Sequence, residues 1–300
     1  MVHSSLRHRA SLWVRAVRVH QWLKNLLIFV PLLASHQFGS PAVLLNGLAA
    51  FILFSCSASS AYLLNDLLDL NHDRLHPHKS RRPFASGQLP VKTGLLAFPM
   101  LLVFAFGCAY WLLPWQFTVA LAAYYFASVA YSFWLKRFVV VDVVTLAMLY
   151  TLRIIAGALV FHLVLTFWML AFSMFIFLSL ALAKRYTELF GARSRGDTEQ
   201  TRGRGYYPQD LGMISSLGAA SGYLSVMVLA LYIQDQNTTV LYRHPQLIWL
   251  ACPLLLFWVS WIWMLTHRGE MNDDPVVFAV RDRTSLVVGV LFGLVFWVAA

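Results

Sequence analysis

The stretch Asn65-Asp66-Leu67-Leu68-Asp69-Leu70-Asn71-His72-Asp73-Arg74-Leu75-His76-Pro77-His78-Lys79-Ser80-Arg81-Arg82-Pro83 closes an apolar run that begins near residue 42. A bilayer takes about 20 consecutive apolar residues to cross, and the run is that long. Its polar end packs three carboxylates against a cluster of Lys and Arg. On a continued helix Asp66, Asp69 and Asp73 stand at i, i+3 and i+7, which lines them on one face with neighbours roughly 5 to 6 Å apart. Three bare carboxylates repel one another unless a cation sits among them. Mg²⁺ suits the place, because it is held by one or two carboxylates plus the phosphate oxygens of a substrate. Lys79 and Arg82 just downstream would grip the rest of that phosphate. A solvated helix end is the plainer alternative, disfavoured because acidic groups are unfavourable at a helix C-terminus and because ionisable groups beside lipid need a reason.

Of 300 residues, 59% are hydrophobic and 12% charged, about half the charged share of a soluble globular domain. The chain is therefore expected to be all-α, a polytopic membrane protein. Apolar stretches of spanning length fall at about 26–38, 42–64, 93–113, 115–135, 139–161, 164–183, 211–233, 246–266 and 284–300. They predict about nine transmembrane helices, arranged around a central cavity open to the cytoplasm, in one domain covering residues 1–300. With nine spans, all of the 23 Lys and Arg except Arg243 and Arg153 fall on one side. By the positive-inside rule that side is cytoplasmic. It holds the N-terminus, including the basic segment 1–22, and the two loops 65–92 and 184–210. The expected location is the inner (cytoplasmic) membrane, with the basic N-terminal stretch along the anionic leaflet. That stretch lacks the apolar core and cleavage site of a secretory signal.

The net charge of +10 is accounted for by topology and anionic lipid. Nucleic acid is not expected as a partner, since the cations are dispersed among loops rather than gathered on a soluble domain. Cys56, Cys108 and Cys252 lie in apolar segments without ligand spacing and read as packing residues. Trp111, Trp115 and Tyr232 at span ends fit the aromatic belt.

The two charge-rich loops follow spans two and six, which predicts two related halves. Pro77, Pro83, Gly87 and Pro90 break the first loop. The second begins Lys184-Arg185-Tyr186-Thr187-Glu188, whose charges sit at a helix end. Farther on, Arg193 to Gly205 reads equally as a mobile basic linker or as part of a site. Arg153, near the middle of the fifth span, is a functional candidate by default. Asp142, eleven residues earlier, is too far along the helix to pair with it directly, so Arg153 either meets another helix or faces a polar cavity. The cavity is the expectation.

Asn65-Asp66-x-x-Asp69-x-x-x-Asp73 after the second of about nine helices resembles the first Asp-rich signature of the UbiA superfamily of intramembrane prenyltransferases. That resemblance implies an all-helical fold and an Mg²⁺-bound diphosphate substrate. The finer match is to the decaprenyl-phosphate phosphoribosyltransferase branch. It is carried by Gln21-Trp22-x-Lys24-Asn25, His76-Pro77-x-Lys79-x-x-Arg82-Pro83, Tyr131-Ser132-x-x-Leu135-Lys136 with Asp142 and Arg153-x-x-Ala156-Gly157, and Lys184-Arg185-x-x-Glu188-Leu189. Asp274-Pro275-x-x-Phe278-Ala279-x-x-Asp282 is similar to a further element of this branch.

The resemblance implies transfer of a 5-phosphoribosyl group from phosphoribosyl diphosphate to a polyprenyl phosphate, in cell-wall or related glycolipid biosynthesis. Asp66, Asp69 and Asp73 would be the catalytic metal ligands. Lys24, Asn65, Lys79, Arg82, Lys136, Arg153, Lys184, Arg185 and Glu188 would bind the substrates. The aromatic prenyltransferases of the superfamily resemble one another in a second Asp-rich motif after the sixth span. Here that place offers Lys184, Arg185 and Glu188, while Asp197, Glu199 and Asp210 do not repeat the pattern. Two rivals stand beside this reading. One is a UbiA-type transferase that moves a prenyl group from its diphosphate to an aromatic acceptor. The other is a transporter, disfavoured because most charge lies at one surface rather than near the midplane.

Overall fold

The structure, a computed structural model, describes residues 2–35, 40–75, 79–197, 199–200, 204–234, 242–271 and 274–299. Among them there is no strand. Helix α1 (Val2–Ala16) leads through a turn into a 3₁₀ segment, Val19–Phe29, continued by α2 (Val30–Ser35). Then come α3 (Pro41–Leu68), α4 (Leu70–Leu75), α5 (Val91–Leu112), α6 (Trp115–Phe133), α7 (Val141–Val160) and α8 (Phe167–Ser194). The chain ends with α9 (Leu211–Gln234), a 3₁₀ turn (Pro245–Leu250) leading into α10 (Ala251–His267), α11 (Pro275–Ala279) and α12 (Arg283–Ala299).

Local chemistry sets the helix starts. Pro41 opens α3 after an extended Ser40, where its missing N–H costs nothing. Thr166 caps α8 by accepting the Met169 N–H, and Asp274 caps α11 by accepting those of Val276 and Val277. Asp282 does the same for α12, accepting from the Ser285 N–H and hydroxyl and from Trp261. Burial works to raise the Asp282 carboxyl, but these hydrogen bonds outweigh it and hold the group below its ordinary value. The two carboxylates of the Asp274–Asp282 element are thus helix caps.

Among the described residues six helices are long and apolar enough to cross a membrane: α3, α5, α7, α8, α9 with its preceding turn, and α10 with its preceding turn. The expected count of nine spans is therefore not confirmed. The stretch expected at 26–38 is a 3₁₀ segment followed by the six-residue α2; the last expected span is the 17-residue α12. The remaining stretch, 115–135, corresponds to the 19-residue α6.

Two compact units share the chain: residues 1–133 with 152–164, and residues 134–151 with 165–300. In the first unit α3 packs against α5, and serines on α3 fasten its neighbours. Ser59 accepts from Trp22 Nε1 at 3.0 Å and donates to the Val17 carbonyl at 2.8 Å, while Ser60 donates to the Phe98 carbonyl at 2.7 Å. Small polar residues let helices approach closely and hydrogen-bond where water is absent. Gly157 on α7 lets that helix meet the 3₁₀ segment, because an added Cβ would sit 1.9 Å from the Ile28 carbonyl oxygen. Helix α1 is not a loose surface helix. Leu12 and Ala16 join Leu63, Phe84 and Leu89 in one core, and Trp13 meets Phe84 edge-on.

The second unit repeats the pattern of two long packed helices joined by a charged loop, here α8 and α9. Ser179 on α8 donates to the Gly218 carbonyl at 2.7 Å and accepts from Trp263 Nε1 at 2.9 Å. Each unit therefore keeps one charge-rich loop between its most closely packed pair of helices.

Candidate functional site

The Asp-rich segment does not continue as one helix. Helix α3 ends at Leu68, Asp69 caps it with φ −84° and ψ 6°, and α4 begins at Leu70. The backbone ladder still runs through, with Asp69 N–H on the Asn65 carbonyl at 2.9 Å and Asp73 N–H on the Asp69 carbonyl at 2.8 Å. So the expectation of an unbroken helix is corrected, while Asp66 and Asp73 remain together. Arg82 Nη1 joins them, 3.0 Å from Asp66 Oδ1 and 2.6 Å from Asp73 Oδ2. Arg18 Nη2 approaches the same Asp66 oxygen at 2.5 Å, its guanidinium lying 5.0 Å over the Tyr62 ring. Both carboxylates are 3% exposed, and buried charge of that kind has to be paired. The cation that the sequence demanded among the aspartates is here a pair of guanidiniums.

Arg18 escaped the sequence reading of the site. It stands between α1 and the 3₁₀ segment at φ 53°, and only the fold brings it to Asp66, 48 residues away. Arg15 supports the same junction by donating to the Arg81 carbonyl at 3.0 Å. Of the other predicted residues in this unit, Asn65 and Asp69 are half-buried, Lys79 is exposed and Lys24 is buried. His76 and Pro77 of the downstream motif lie outside the described residues.

Among the described residues no three His, Cys, Asp or Glu side chains converge as a ready-made metal cage. The donor set nonetheless fits Mg²⁺. It consists of hard carboxylate oxygens, and one nitrogen touches both Asp66 and Asp73, so one small cation can reach oxygens from both. A metal held by two carboxylates and completed by substrate phosphate and water needs no third protein ligand.

Arg153 meets other helices instead of the expected polar cavity. At 4% exposure its Nε donates to Asn25 Oδ1 and its Nη2 to the Tyr124 hydroxyl, each at 2.9 Å. Asn25 is in turn oriented by donating to Ser55 Oγ at 2.9 Å, and the guanidinium lies 4.7 Å over the Tyr124 ring and 5.6 Å over that of Phe54.

In the second unit the predicted binding residues Arg185 and Glu188 are paired with protein groups. Arg185, 1% exposed, pairs with the fully buried Asp142 at 2.6 Å and with Glu188. Arg204 adds a second guanidinium, 3.3 Å from Glu188 and 3.6 Å from Asp142. Two carboxylates and two guanidiniums make a neutral quartet, which is the form in which buried charge is tolerable. Asp142 Oδ1 also accepts from the Val143 N–H at 2.7 Å and from the Tyr206 hydroxyl at 2.6 Å. Burial and the Asp142 carboxylate push the Tyr206 phenol well above its ordinary value, so it remains a donor. Arg204 to Tyr206, at the end of the stretch that reads as a linker, is thus seated. Lys184 and Lys136 are half-buried beside this quartet in sequence.

A model of the UbiA prenyltransferase family matches residues 26–286 of the chain. This chain belongs to the UbiA prenyltransferase family. It is 38% identical to the uncharacterized protein y4nM of Sinorhizobium fredii over 97% of this chain and 56% of that one, so it spans about half that relative's length. It is 36% identical to the nodulation protein NoeC of Azorhizobium caulinodans, over 95% of this chain and 92% of the relative. It is 28% identical to the decaprenyl-phosphate phosphoribosyltransferase of Mycolicibacterium smegmatis, over 93% and 88% respectively. The UbiA fold itself is shared with the structure of a UbiA homolog from Archaeoglobus fulgidus bound to GPP and Mg²⁺, at a TM-score of 0.70, 15% identity, and coverage of 96% of this chain and 99% of that one.

Proposed function

We propose that this UbiA-family transferase moves a 5-phosphoribosyl group from phosphoribosyl diphosphate to a polyprenyl phosphate, with Mg²⁺ at the Asp-rich cluster. The observation that carries the reading is the state of Glu188. Its carboxylate is gripped by Arg185 and Arg204, so the helix end where aromatic prenyltransferases resemble one another in a second set of metal-binding aspartates presents a neutralised acid among cations. One Asp-rich loop, with no second Asp repeat at the end of α8, suits one metal-bound diphosphate, and the Lys and Arg around it suit separate phosphates. The 28% identity to decaprenyl-phosphate phosphoribosyltransferase along nearly the whole chain supports the same substrates; the GPP- and Mg²⁺-bound relative supports the metal.

Asp66 and Asp73 would hold the metal, Asp69 would tune the site from the cap of α3, and Mg²⁺ there would neutralise charge on the diphosphate. Arg18 and Arg82, already at the carboxylates, would pass remaining N–H groups to diphosphate oxygens, and exposed Lys79 would add a further cation. The bond from ribose C1 to the diphosphate oxygen breaks, and the departing charge is stabilised by these fixed cations. An oxygen of the acceptor phosphate then forms the new bond to C1. That acceptor is already anionic, so no general base is required. Lys24, Lys136, Arg153, Lys184 and Arg185 are the pool of cations proposed for the sugar 5-phosphate and the acceptor phosphate. The products are polyprenyl-phosphoryl ribose 5-phosphate and diphosphate. The prenyl chain would lie against apolar helix surface in the bilayer, in the cytoplasmic membrane.

The test is substitution of the aspartates. Asp66→Asn and Asp73→Asn are each expected to lower phosphoribosyl transfer by about 100-fold or more while the protein still inserts and elutes as wild type in detergent. Near-normal transfer in either variant would contradict the metal site.

A further inference from the structure

In the second unit the segment that follows the charged loop folds back onto the turn between α6 and α7, the turn that carries Lys136. Tyr206, 1% exposed, accepts the Val140 N–H at 2.8 Å and donates to Asp142 Oδ1 at 2.6 Å. Val140 stands at φ 68°, and the Val141 N–H closes on the Val139 carbonyl at 2.8 Å. This is a γ-turn about a left-handed, β-branched residue, a rare and strained conformation. Strain of this kind persists only where the surroundings over-determine it.

Three contacts do so here. The Tyr206 hydroxyl holds both the Val140 amide and the Asp142 carboxylate. Asp142 is held in turn by Arg185 Nη2 at 2.6 Å. Gly205 lies so close that an added Cβ would sit 2.8 Å from the Arg137 carbonyl oxygen and 2.7 Å from Val139 Cγ2, so a side chain there would push the two segments apart. Hydrogen bonds and backbone contact thereby fasten the far end of one loop to residues 137–142 of another. That the strain falls within four residues of a candidate phosphate-binding lysine gives it a use.

We infer that Tyr206 is a positioning residue, which fixes the Val139–Asp142 turn through its hydroxyl and so presents Lys136 to a substrate phosphate in one geometry. The inference rests on the proposed role of Lys136. Tyr206 itself touches no substrate. A lysine is a flexible point charge, and its placement depends on the backbone that carries it. Without the hydroxyl, Val140 is free to leave the left-handed region, and the backbone under Lys136 moves with it.

Tyr206→Phe keeps the ring and removes only the hydroxyl. A spin label placed at Lys136→Cys, after Cys56, Cys108 and Cys252 are replaced by serine, reports the turn directly. Steady-state kinetics of the variants with Lys136 intact report its use, in whichever transfer reaction the wild type catalyses. In the Tyr206→Phe background the label is expected to become more mobile, and KM for one phosphate-bearing substrate is expected to rise by about 10-fold, with kcat less affected. Adding Val140→Gly is expected to recover part of the lost KM, because glycine adopts positive φ without being held there. If Tyr206→Phe alone does not fold, Val140→Gly with Tyr206→Phe is compared with Val140→Gly alone, and a smaller rise in label mobility and KM, in the same direction, is required. Unchanged mobility, or unchanged KM with only a fall in thermal stability, would overturn the inference. If the wild type transfers a prenyl group instead, the proposed substrates fail while the label and the KM split still decide the role of Tyr206.

Discussion

Arg18 shows what a single residue contributes and why the sequence hid it. Its guanidinium and that of Arg82 converge on one oxygen of Asp66, so the cluster carries its own counter-charge. Removing Arg18 leaves a carboxylate that is 3% exposed with less cationic support. Arg18→Ala is therefore expected to reduce turnover by about 10- to 100-fold and to weaken binding of inorganic diphosphate in calorimetry; unaltered diphosphate affinity would show that Arg18 serves the fold alone. The spacing of Asp66 and Asp73 and the nearby Arg82 were legible because they sit within one segment, where helix geometry converts spacing into proximity. Arg18 and Tyr206 were not, since each reaches its carboxylate across more than forty residues of chain. Arg153 was legible as an anomaly, but its partners Asn25 and Tyr124 come from elements that periodicity does not connect. Arg185 and Glu188 were singled out by charge at a helix end, a signal that does not reveal that Arg185 pairs with Asp142 and that Glu188 pairs with Arg185 and Arg204.

At the scale of elements, hydropathy located the long helices because lipid demands long apolar helical runs with every backbone group satisfied internally. It misjudged the stretch after the basic N-terminus. There the chain winds as a 3₁₀ segment that buries Lys24 and Asn25, held by Ser55 and Ser59 of α3, and these hydrogen bonds have no signature in apolar periodicity. The break at Asp69 was equally hidden, since the hydrogen-bond ladder passes through it. Gly157 is the hinge of this arrangement, because α7 touches the Ile28 carbonyl there. Gly157→Ala is expected to cost about 1–3 kcal/mol by overpacking, read as a lower melting temperature in detergent, and to lower activity by shifting the segment that carries Lys24 and Asn25. Wild-type stability in that variant would contradict the close approach.

For the molecule as a whole, the charge distribution makes a claim about sidedness that accessibility can check. Gln88 lies in the first charged loop and Arg243 in the short connection before α10, and both are exposed. In a cysteine-free background, Gln88→Cys is expected to resist a membrane-impermeant maleimide added to intact cells, and Arg243→Cys to react; the reverse pattern would invert the topology and place the Asp-rich cluster outside. Each of the two units carries a charged loop between packed helices, and in each two carboxylates pair with two guanidiniums: Asp66 and Asp73 with Arg18 and Arg82, Asp142 and Glu188 with Arg185 and Arg204. The Asp-rich pattern of the first loop is not repeated in the second, and that difference is what supports the proposal of a single metal-bound diphosphate and phosphoribosyl transfer. The decisive measurement uses the purified protein in detergent with Mg²⁺, polyprenyl phosphate and phosphoribosyl diphosphate labelled in the ribose, with label followed into the organic phase. Lipid-bound label that requires the polyprenyl phosphate and disappears with EDTA is the predicted result. No lipid-bound label with any polyprenyl phosphate, together with prenylation of an aromatic acceptor from a prenyl diphosphate, would contradict it.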